Sequence, residues 1–245
     1  MKAIAVILGR SGSKGVPGKN TAMIAGKPCI QWTIEAAKES EHVAHIIVSS
    51  DDPQMLALAR EAGAVGSLRP ADLASDAARV DDAARHAVLD FEKTHADAPA
   101  LAPIVILYAN VPVRPADLID RAVHLLRKSG CDSVQSYAAV GKHHPWWTAR
   151  LDESGRVSPW EGDVLNHGVF RRQELPPAFV PDGGVIALTR RALFQEIPGV
   201  QPGPHAFFGL DRRGVVNPEG AVIDIDAPTD LLVADTVLKE RHADR

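Results

Sequence analysis

The stretch Gly9-Arg10-Ser11-Gly12-Ser13-Lys14-Gly15-Val16-Pro17-Gly18-Lys19-Asn20 gathers residue types that hold phosphate. Glycines let the backbone approach a bulky anion and turn its amides inward. Arg10, Lys14 and Lys19 place three cations within ten residues. A nucleoside triphosphate carries comparable opposite charge, and the apolar run Ala3 to Leu8 just before the loop reads as a buried strand that would present it. Phosphate binding is therefore expected; the alternative is a flexible turn with solvated charges. Counting back from Gly18-Lys19, Ser13 stands where a P-loop needs glycine and Asn20 where it needs a hydroxyl, while G-x-G-x-x-G is absent. Gly9-Arg10-Ser11-Gly12-Ser13 ends in serine where the hydrolase elbow G-x-S-x-G needs glycine. P-loop hydrolysis, hydride transfer and serine esterase chemistry are thereby disfavoured.

A second constellation lies near the end of the chain. Asp224 and Asp226 are one residue apart in an apolar stretch, so on a strand both carboxylates project from one face. Two like charges side by side are costly unless a cation bridges them, and oxygen-only ligation suits Mg²⁺. The alternative is that Asp226 caps the helix beginning near Pro228.

The elements that must position these groups alternate. Strands are expected at Ala3 to Leu8, His45 to Ser50, Ile104 to Leu107, Ser133 to Ala139, Gly184 to Leu188 and Val222 to Asp226. Helices are expected at Cys29 to Ser40, Pro53 to about Ala62, Val80 to Thr94, Ala116 to Lys128 and Thr229 to Arg241. Such alternation means βαβ units and a mostly parallel sheet, with ligands outside the carboxyl ends of its strands. From about 140 to 181 the rhythm breaks into a stretch rich in Pro, Trp, His and Arg. Asp152-Glu153-Ser154-Gly155 there suggests a hairpin turn within an inserted lobe.

Composition narrows the class. With 245 residues, a net charge of −4, 45% hydrophobic and 24% charged residues, the chain is an ordinary globular protein. It lacks the basic stripe of a nucleic-acid binder and any apolar run of membrane-spanning length. The apolar start at Met1 stops at Gly9-Arg10, too short for a leader peptide, so a cytoplasmic location is expected. Cys29 and Cys131 have no metal or disulfide spacing and read as buried reduced thiols.

The loop from Ala5 to Asn20 resembles the first signature of the acylneuraminate cytidylyltransferases, the CMP-sialic acid synthetases. Further matches follow in order: Arg69-Pro70-Ala71-Asp72-Leu73-Ala74-Ser75-Asp76, Pro112-Val113-Arg114, Arg172-Gln173-Glu174-Leu175-Pro176 and Ile223-Asp224-Ile225-Asp226-Ala227-Pro228-Thr229-Asp230-Leu231. The resemblance covers nearly the whole chain. It implies a single α/β domain over residues 1–245, with a Rossmann-like, mostly parallel sheet of the nucleotide-diphospho-sugar transferase type. The 140–181 lobe becomes a small inserted dimerisation lobe that pairs two chains, with Trp146, Trp147, Trp160 and Phe170 as candidate anchors.

The implied activity is Mg²⁺-dependent transfer of CMP from CTP to a small anionic acceptor, with release of pyrophosphate and no nucleic-acid or membrane partner. By resemblance, Arg10, Lys14 and Lys19 are catalytic, holding the β- and γ-phosphates. Leu8, Gly9, Ser11, Gly12, Ser13 and Asn20 complete the nucleotide site, where Arg69 and the backbone near Ala78 read cytosine. Asp224 and Asp226 bind the metal. Acceptor contacts fall on Tyr108, Asn110, Arg114, Lys142, His143, His144, Arg172, Gln173, Phe207 and Phe208.

Departures from the family pattern cluster on the acceptor side. Tyr108 stands for a glutamine, Val111 for a serine and Ile186 for a tyrosine, and Val180-Pro181-Asp182-Gly183 replaces Arg-Pro-Asn-Gly; at the base contacts of the nucleotide site, Arg79-Val80 replaces small hydroxyl residues. Loss of polar contacts penalises a polyhydroxylated sugar. The acceptor is therefore a nonulosonic acid of the acylneuraminate type or, alternatively, a small phosphonate, as in relatives of this family. A non-catalytic nucleotide-binding protein and a glycosyltransferase of similar topology remain the readings from other classes.

Overall fold

The computed structural model describes residues 2–12, 15–95 and 102–243. Among them, seven strands form one sheet: β1 (Ala3–Leu8), β2 (Val43–Ser50), β3 (Val65–Leu68), β4 (Ile104–Tyr108), β5 (Ser133–Ala139), β6 (Phe179–Leu188) and β7 (Arg212–Asn217). Across the sheet they run β7-β5-β6-β4-β1-β2-β3. Neighbours pair in parallel except β6, which is antiparallel to both β4 and β5. The helices are α1 (Cys29–Glu39), α2 (Pro53–Glu61), α3 (Val80–Thr94), α4 (Leu118–Ser129), α5 (Arg190–Leu193) and α6 (Pro228–Ala243). The fold is the expected mostly parallel α/β sheet.

All six β1 side chains are buried, as a central strand covered on both faces requires. Ala3, Ala5 and Ile7 join a core with α1, α2 and α4, through residues such as Ile30, Met55 and Ile119. Ile4, Val6 and Leu8 join another with α3, α5 and the Phe207–Phe208 pair. A third cluster seats Ala234 and Leu238 of α6 against Ile24 and Trp32. The termini follow local chemistry. The Asp52 carboxylate accepts the Gln54 N–H at 2.8 Å to cap α2, and Gly130, at φ 67°, lets the chain turn out of α4.

Two edge strands, β3 and β7, were not expected. Both are short, and β7 opens on Arg212-Arg213-Gly214, the polar composition by which edges avoid pairing with other chains. The expected strand over Val222–Asp226 is a correction in the other direction. That segment lies beside the end of β4, held by one bridge between Ile223 and Val113 and by the Ile225 N–H donated to the Asn110 carbonyl at 2.8 Å.

In the 140–181 region, Ala149–Leu151 and Val157–Pro159 pair antiparallel across the expected turn, where Asp152 accepts the Ser154 and Arg156 amides. The remainder up to β6 is irregular chain with short single turns, one of them broken by positive φ at Asn166 and His167. Among the described residues no helix is long and apolar enough to cross a membrane. Cys29 and Cys131 are free and buried, and burial pushes the Cys29 thiol up to about 12.

Candidate active site

The loop after β1 lies at the carboxyl end of the sheet, against residues that follow β2, β3 and β4. Gly9 is required by close approach: a Cβ there would stand 2.9 Å from both the Ala109 Cβ and the Met55 Sδ. Gly15 packs so tightly on the far segment that a Cβ would meet the Asp226 carbonyl oxygen at 2.3 Å. The loop is braced from two sides. Ser11 donates its amide and hydroxyl to Asp51 at 2.9 and 2.6 Å, and the buried Asn20 donates its amide to the Arg10 carbonyl at 2.9 Å. Burial raises the Asp51 carboxyl, but the two Ser11 bonds outweigh it and hold the group below the usual carboxylate range.

These elements enclose a cavity of about 390 Å³ lined by Leu8, Gly9, Arg10, Lys19, Asn20 and Asp226 at one end. Arg69, Leu73, Ala78 and Ala83 line it toward the start of α3. Arg10 pairs with Asp76 at 2.6 Å across the cavity. Arg69 is buried and anchored to Ser49, by Nε to the hydroxyl at 3.1 Å and by Nη2 to the carbonyl at 2.7 Å; burial lowers its pKa. Of the expected nucleotide residues, Ser13 and the catalytic candidate Lys14 lie outside the described residues. Gly12 is exposed, and Ser11 is turned to Asp51 instead of the cavity.

Asp224 and Asp226 do share a face. Ile223 and Ile225 alternate with them and pack inward, which leaves both carboxylates outward and hydrogen-bonded to each other. Lys19 donates to Asp226 at 2.6 Å and holds its carboxyl below the usual range. Asp224 is pushed the opposite way, first by burial and then by the Asp226 charge. The helix-cap alternative for Asp226 fails because Asp230 does that work, accepting the Asp226 and Ala227 amides at 2.9 and 2.6 Å. Asn110, expected to touch the acceptor, braces this pair: its carbonyl and its side-chain amide both bind Ile225.

The pair fits a hard divalent cation, since it offers only oxygen donors, and a bound cation would relieve the repulsion between the two carboxylates when both are ionised. Among the described residues no group of three or more His, Cys, Asp or Glu could cage a metal. A cation here would complete its shell with phosphate oxygens and water.

The expected acceptor residues divide. Tyr108, raised in pKa by burial, lines the first cavity and also a second, of about 470 Å³, that shares the wall formed by Ala78, Arg79, Val80 and Tyr108. Phe207 and Phe208 form the apolar side of that second cavity, ring centroids 4.2 Å apart. Arg114 does not join them: it is 5% exposed, its three guanidinium nitrogens have no hydrogen-bond partner among the described residues, and burial lowers its pKa to about 10. His144 is also buried and used structurally, accepting the Trp146 amide at 3.1 Å and lying 3.0 Å from the Pro176 carbonyl. Lys142, His143 and Gln173 are exposed on the lobe, and Arg172 pairs with Glu219 at 2.7 Å. Sequence reasoning missed Arg79 and Arg212 as cavity residues; the departure from small hydroxyl residues at position 79 was the available signal.

With this geometry in place, the comparisons with known proteins decide the family. The family described as cytidylyltransferase matches residues 4–145, more than half of the chain, and so takes in the loop, Arg69, Tyr108 and Arg114. The chain belongs to the cytidylyltransferase family. It is 30% identical over 198 residues to the N-acylneuraminate cytidylyltransferase of Streptococcus agalactiae serotype V, covering 80% of this chain and 45% of that protein. The CMP-N,N'-diacetyllegionaminic acid synthase of Legionella pneumophila is 29% identical over 247 residues, covering 98% of this chain and 97% of the relative. A solved CMP:2-keto-3-deoxy-manno-octonic acid synthetase complexed with CTP superposes with a TM-score of 0.69 at 18% identity, covering 98% of this chain and all of that one. This cytidylyltransferase family member thus shares its fold over essentially its full length, while spanning about 45% of the Streptococcus relative.

Proposed function

We propose that the chain transfers CMP from CTP to a small anionic acceptor of the nonulosonic-acid class and releases pyrophosphate. The observation that carries this reading is the placement of Lys19 between the glycine-rich loop and the Asp224–Asp226 pair, 2.6 Å from Asp226, at the end of a cavity of nucleotide size. The names of the relatives from Streptococcus and Legionella support the acceptor class.

Phosphoryl chemistry of this kind leaves the protein mainly alignment and charge neutralisation. The loop amides and Lys19 would hold the β- and γ-phosphates. Arg10 would exchange Asp76 for phosphate oxygens, a swap between two partners of the same charge that needs little rearrangement of the loop. Arg69, fixed to Ser49, and the backbone at Ala78 would meet the base, with Leu73 and Ala83 as apolar walls. Asp224 and Asp226 would hold Mg²⁺, which when bound supplies charge neutralisation at the α-phosphate. Lys19 keeps Asp226 ionised and so ready for that role.

The chain is further proposed to work as a homodimer in the cytoplasm. Support comes from the lobe, where Phe170 is 82% exposed and Trp160, Val164 and Leu165 are exposed too, apolar surface suited to a second copy. Trp146 and Trp147 instead serve the lobe itself, through stacking on His167 at 4.6 Å and a hydrogen bond to the Val169 carbonyl at 2.9 Å. The buried free thiols are those of a reducing compartment.

The test is pyrophosphate release with Mg²⁺ and N-acetylneuraminic acid. Release that requires the acceptor and is at least tenfold faster with CTP than with UTP is expected. Neither a non-catalytic nucleotide binder nor a glycosyltransferase gives that result, and release without acceptor would contradict the proposal.

A further inference from the structure

Two arginines outside every expected role, Arg79 and Arg212, line the second cavity and grip the same loop. Arg79 donates Nη2 to the Gly203 carbonyl at 2.9 Å; Arg212 donates Nη2 to the His205 carbonyl at 3.1 Å and Nε to the Gly209 carbonyl at 2.9 Å. That loop carries the Phe207–Phe208 pair, so the guanidiniums and the aromatic surface are built as one unit.

Arg79 is held in place from behind. Its Nε and Nη2 donate to Asp81 at 3.0 and 2.8 Å, and Asp81 is a buried carboxylate that also pairs with Arg85 at 2.9 Å and accepts from Gln195 at 3.1 Å. Such a carboxylate fixes a fork without neutralising it, because its charge is shared between two guanidiniums. Arg212 has backbone carbonyls as its hydrogen-bond partners and lies 5.6 Å over the Phe208 ring. Both arginines leave Nη1 without a hydrogen bond among the described residues. Arg213 also lines the cavity but is paired with Asp211 at 3.0 Å, so Arg79 and Arg212 are the guanidiniums it presents, set among Ile186, Phe207 and Phe208.

We propose that this cavity takes the acceptor by an oxyanion, with Arg79 receiving it at the wall shared with the nucleotide cavity and Arg212 adding charge from β7. The inference rests on the cytidylyl-transfer reading and assigns acceptor recognition to charge supplied by this chain. The two remaining Nη1 donors, set on an apolar surface, suit an oxygen of a carboxylate or of a phosphonate equally. Either group would lie beside the nucleotide, where an attacking oxygen is needed.

The experiment titrates the full chain, without nucleotide, with methylphosphonate, pyruvate and the neutral dimethyl methylphosphonate, followed by NMR of each probe. CTP affinity is measured separately. Wild-type protein is expected to bind the two anions and not the ester. Arg79→Gln should weaken anion binding at least tenfold and Arg79→Lys by an intermediate factor, while Arg212→Gln, which lies outside the nucleotide cavity, should weaken it at least threefold with CTP affinity changed less than threefold. In the unaltered chain the anions should also shield Arg79 from phenylglyoxal, mapped by peptide mass, a readout independent of how variants fold. A preference for pyruvate identifies a carboxylate acceptor and one for methylphosphonate a phosphonate; both support the proposal. Unchanged anion binding in Arg79→Gln, or equal binding of the ester, overturns it. A chain that binds CTP but neither anion overturns this inference alone, whereas a chain that does not bind CTP overturns the reading beneath it.

Discussion

Asp224→Asn should make the ligand-free protein more stable and nearly inactive. The folded state raises the Asp224 pKa through burial and the neighbouring Asp226 charge, so it favours the protonated form more than the unfolded chain does. The stability linked to that proton is present at low pH and lost as pH rises through the raised value; at neutral pH the ionised group is a cost. Asparagine removes the charge and can still donate a hydrogen bond to Asp226. Because both side chains are largely solvent-facing, screening limits the gain to about 0.5–1 kcal/mol. For a chain of 245 residues, the unfolding entropy is about 0.5 kcal/mol/K, so this corresponds to a Tm rise of about 1–2 °C in buffer with EDTA. Turnover should fall by about 10²–10³, or roughly 3–4 kcal/mol, the scale of losing one preorganised charge at the reacting phosphate. Thermal scans with and without Mg²⁺, beside pyrophosphate release, make the measurement. A lower Tm in EDTA, or turnover within tenfold of wild type, would refute the reasoning.

Three further expectations follow from the same geometry. Gly15→Ala must move the loop away from the Asp226 carbonyl, which a Cβ would meet at 2.3 Å. A shift of that size should lower kcat/KM for CTP by about 10²-fold with little change in Tm, and full activity would show that the loop does not work from this position. Arg114→Met replaces a buried guanidinium that has no hydrogen-bond partner among the described residues by an apolar chain of similar volume, while Asp182 keeps bonds from Ser136, Gly184 and Asn217. Denaturant unfolding should show about 1 kcal/mol or more of added stability; a clear loss would mean that the charge holds the segment after β4. The Cys29 thiol, raised by burial to about 12, contributes stability that is fully present below about pH 9 and is lost as pH climbs toward that value. Between pH 8 and 10.5 the wild type should therefore lose about 2 kcal/mol more stability than Cys29→Ala. Parallel losses in the two proteins would remove Cys29 as the cause.

What the sequence revealed is what local chemistry controls. The uninterrupted run Ala3 to Leu8 can only be a strand buried on both faces, and its bounds are those observed. Asp52-Pro53 and Gly130 mark helix ends by capping and by positive φ, again near the observed limits. The cation-bearing loop was legible because glycine and charge together have few other uses. The misses lie where tertiary context decides. β3 and β7 carry the polar residues of edges and so look like loops. Ile223 and Ile225 alternate as in a strand, yet the segment pairs with the chain that follows β4 through a single bridge, to Val113. Residue type alone does not separate Arg114, buried in the interior, from Arg79, held at a cavity wall by the Asp81 carboxylate two residues on. The resemblance makes His144 an acceptor contact, whereas its buried ring is held by the Trp146 amide and lies against the Pro176 carbonyl.

The central claim is the transfer itself. The most direct measurement supplies CTP labelled at the α-phosphorus, Mg²⁺ and N-acetylneuraminic acid, and follows the label by mass. The account predicts that label accumulates in a CMP–acceptor adduct in equal amount to pyrophosphate. Label that stays in CTP or appears only as free CMP, under conditions where CTP binds, would contradict it.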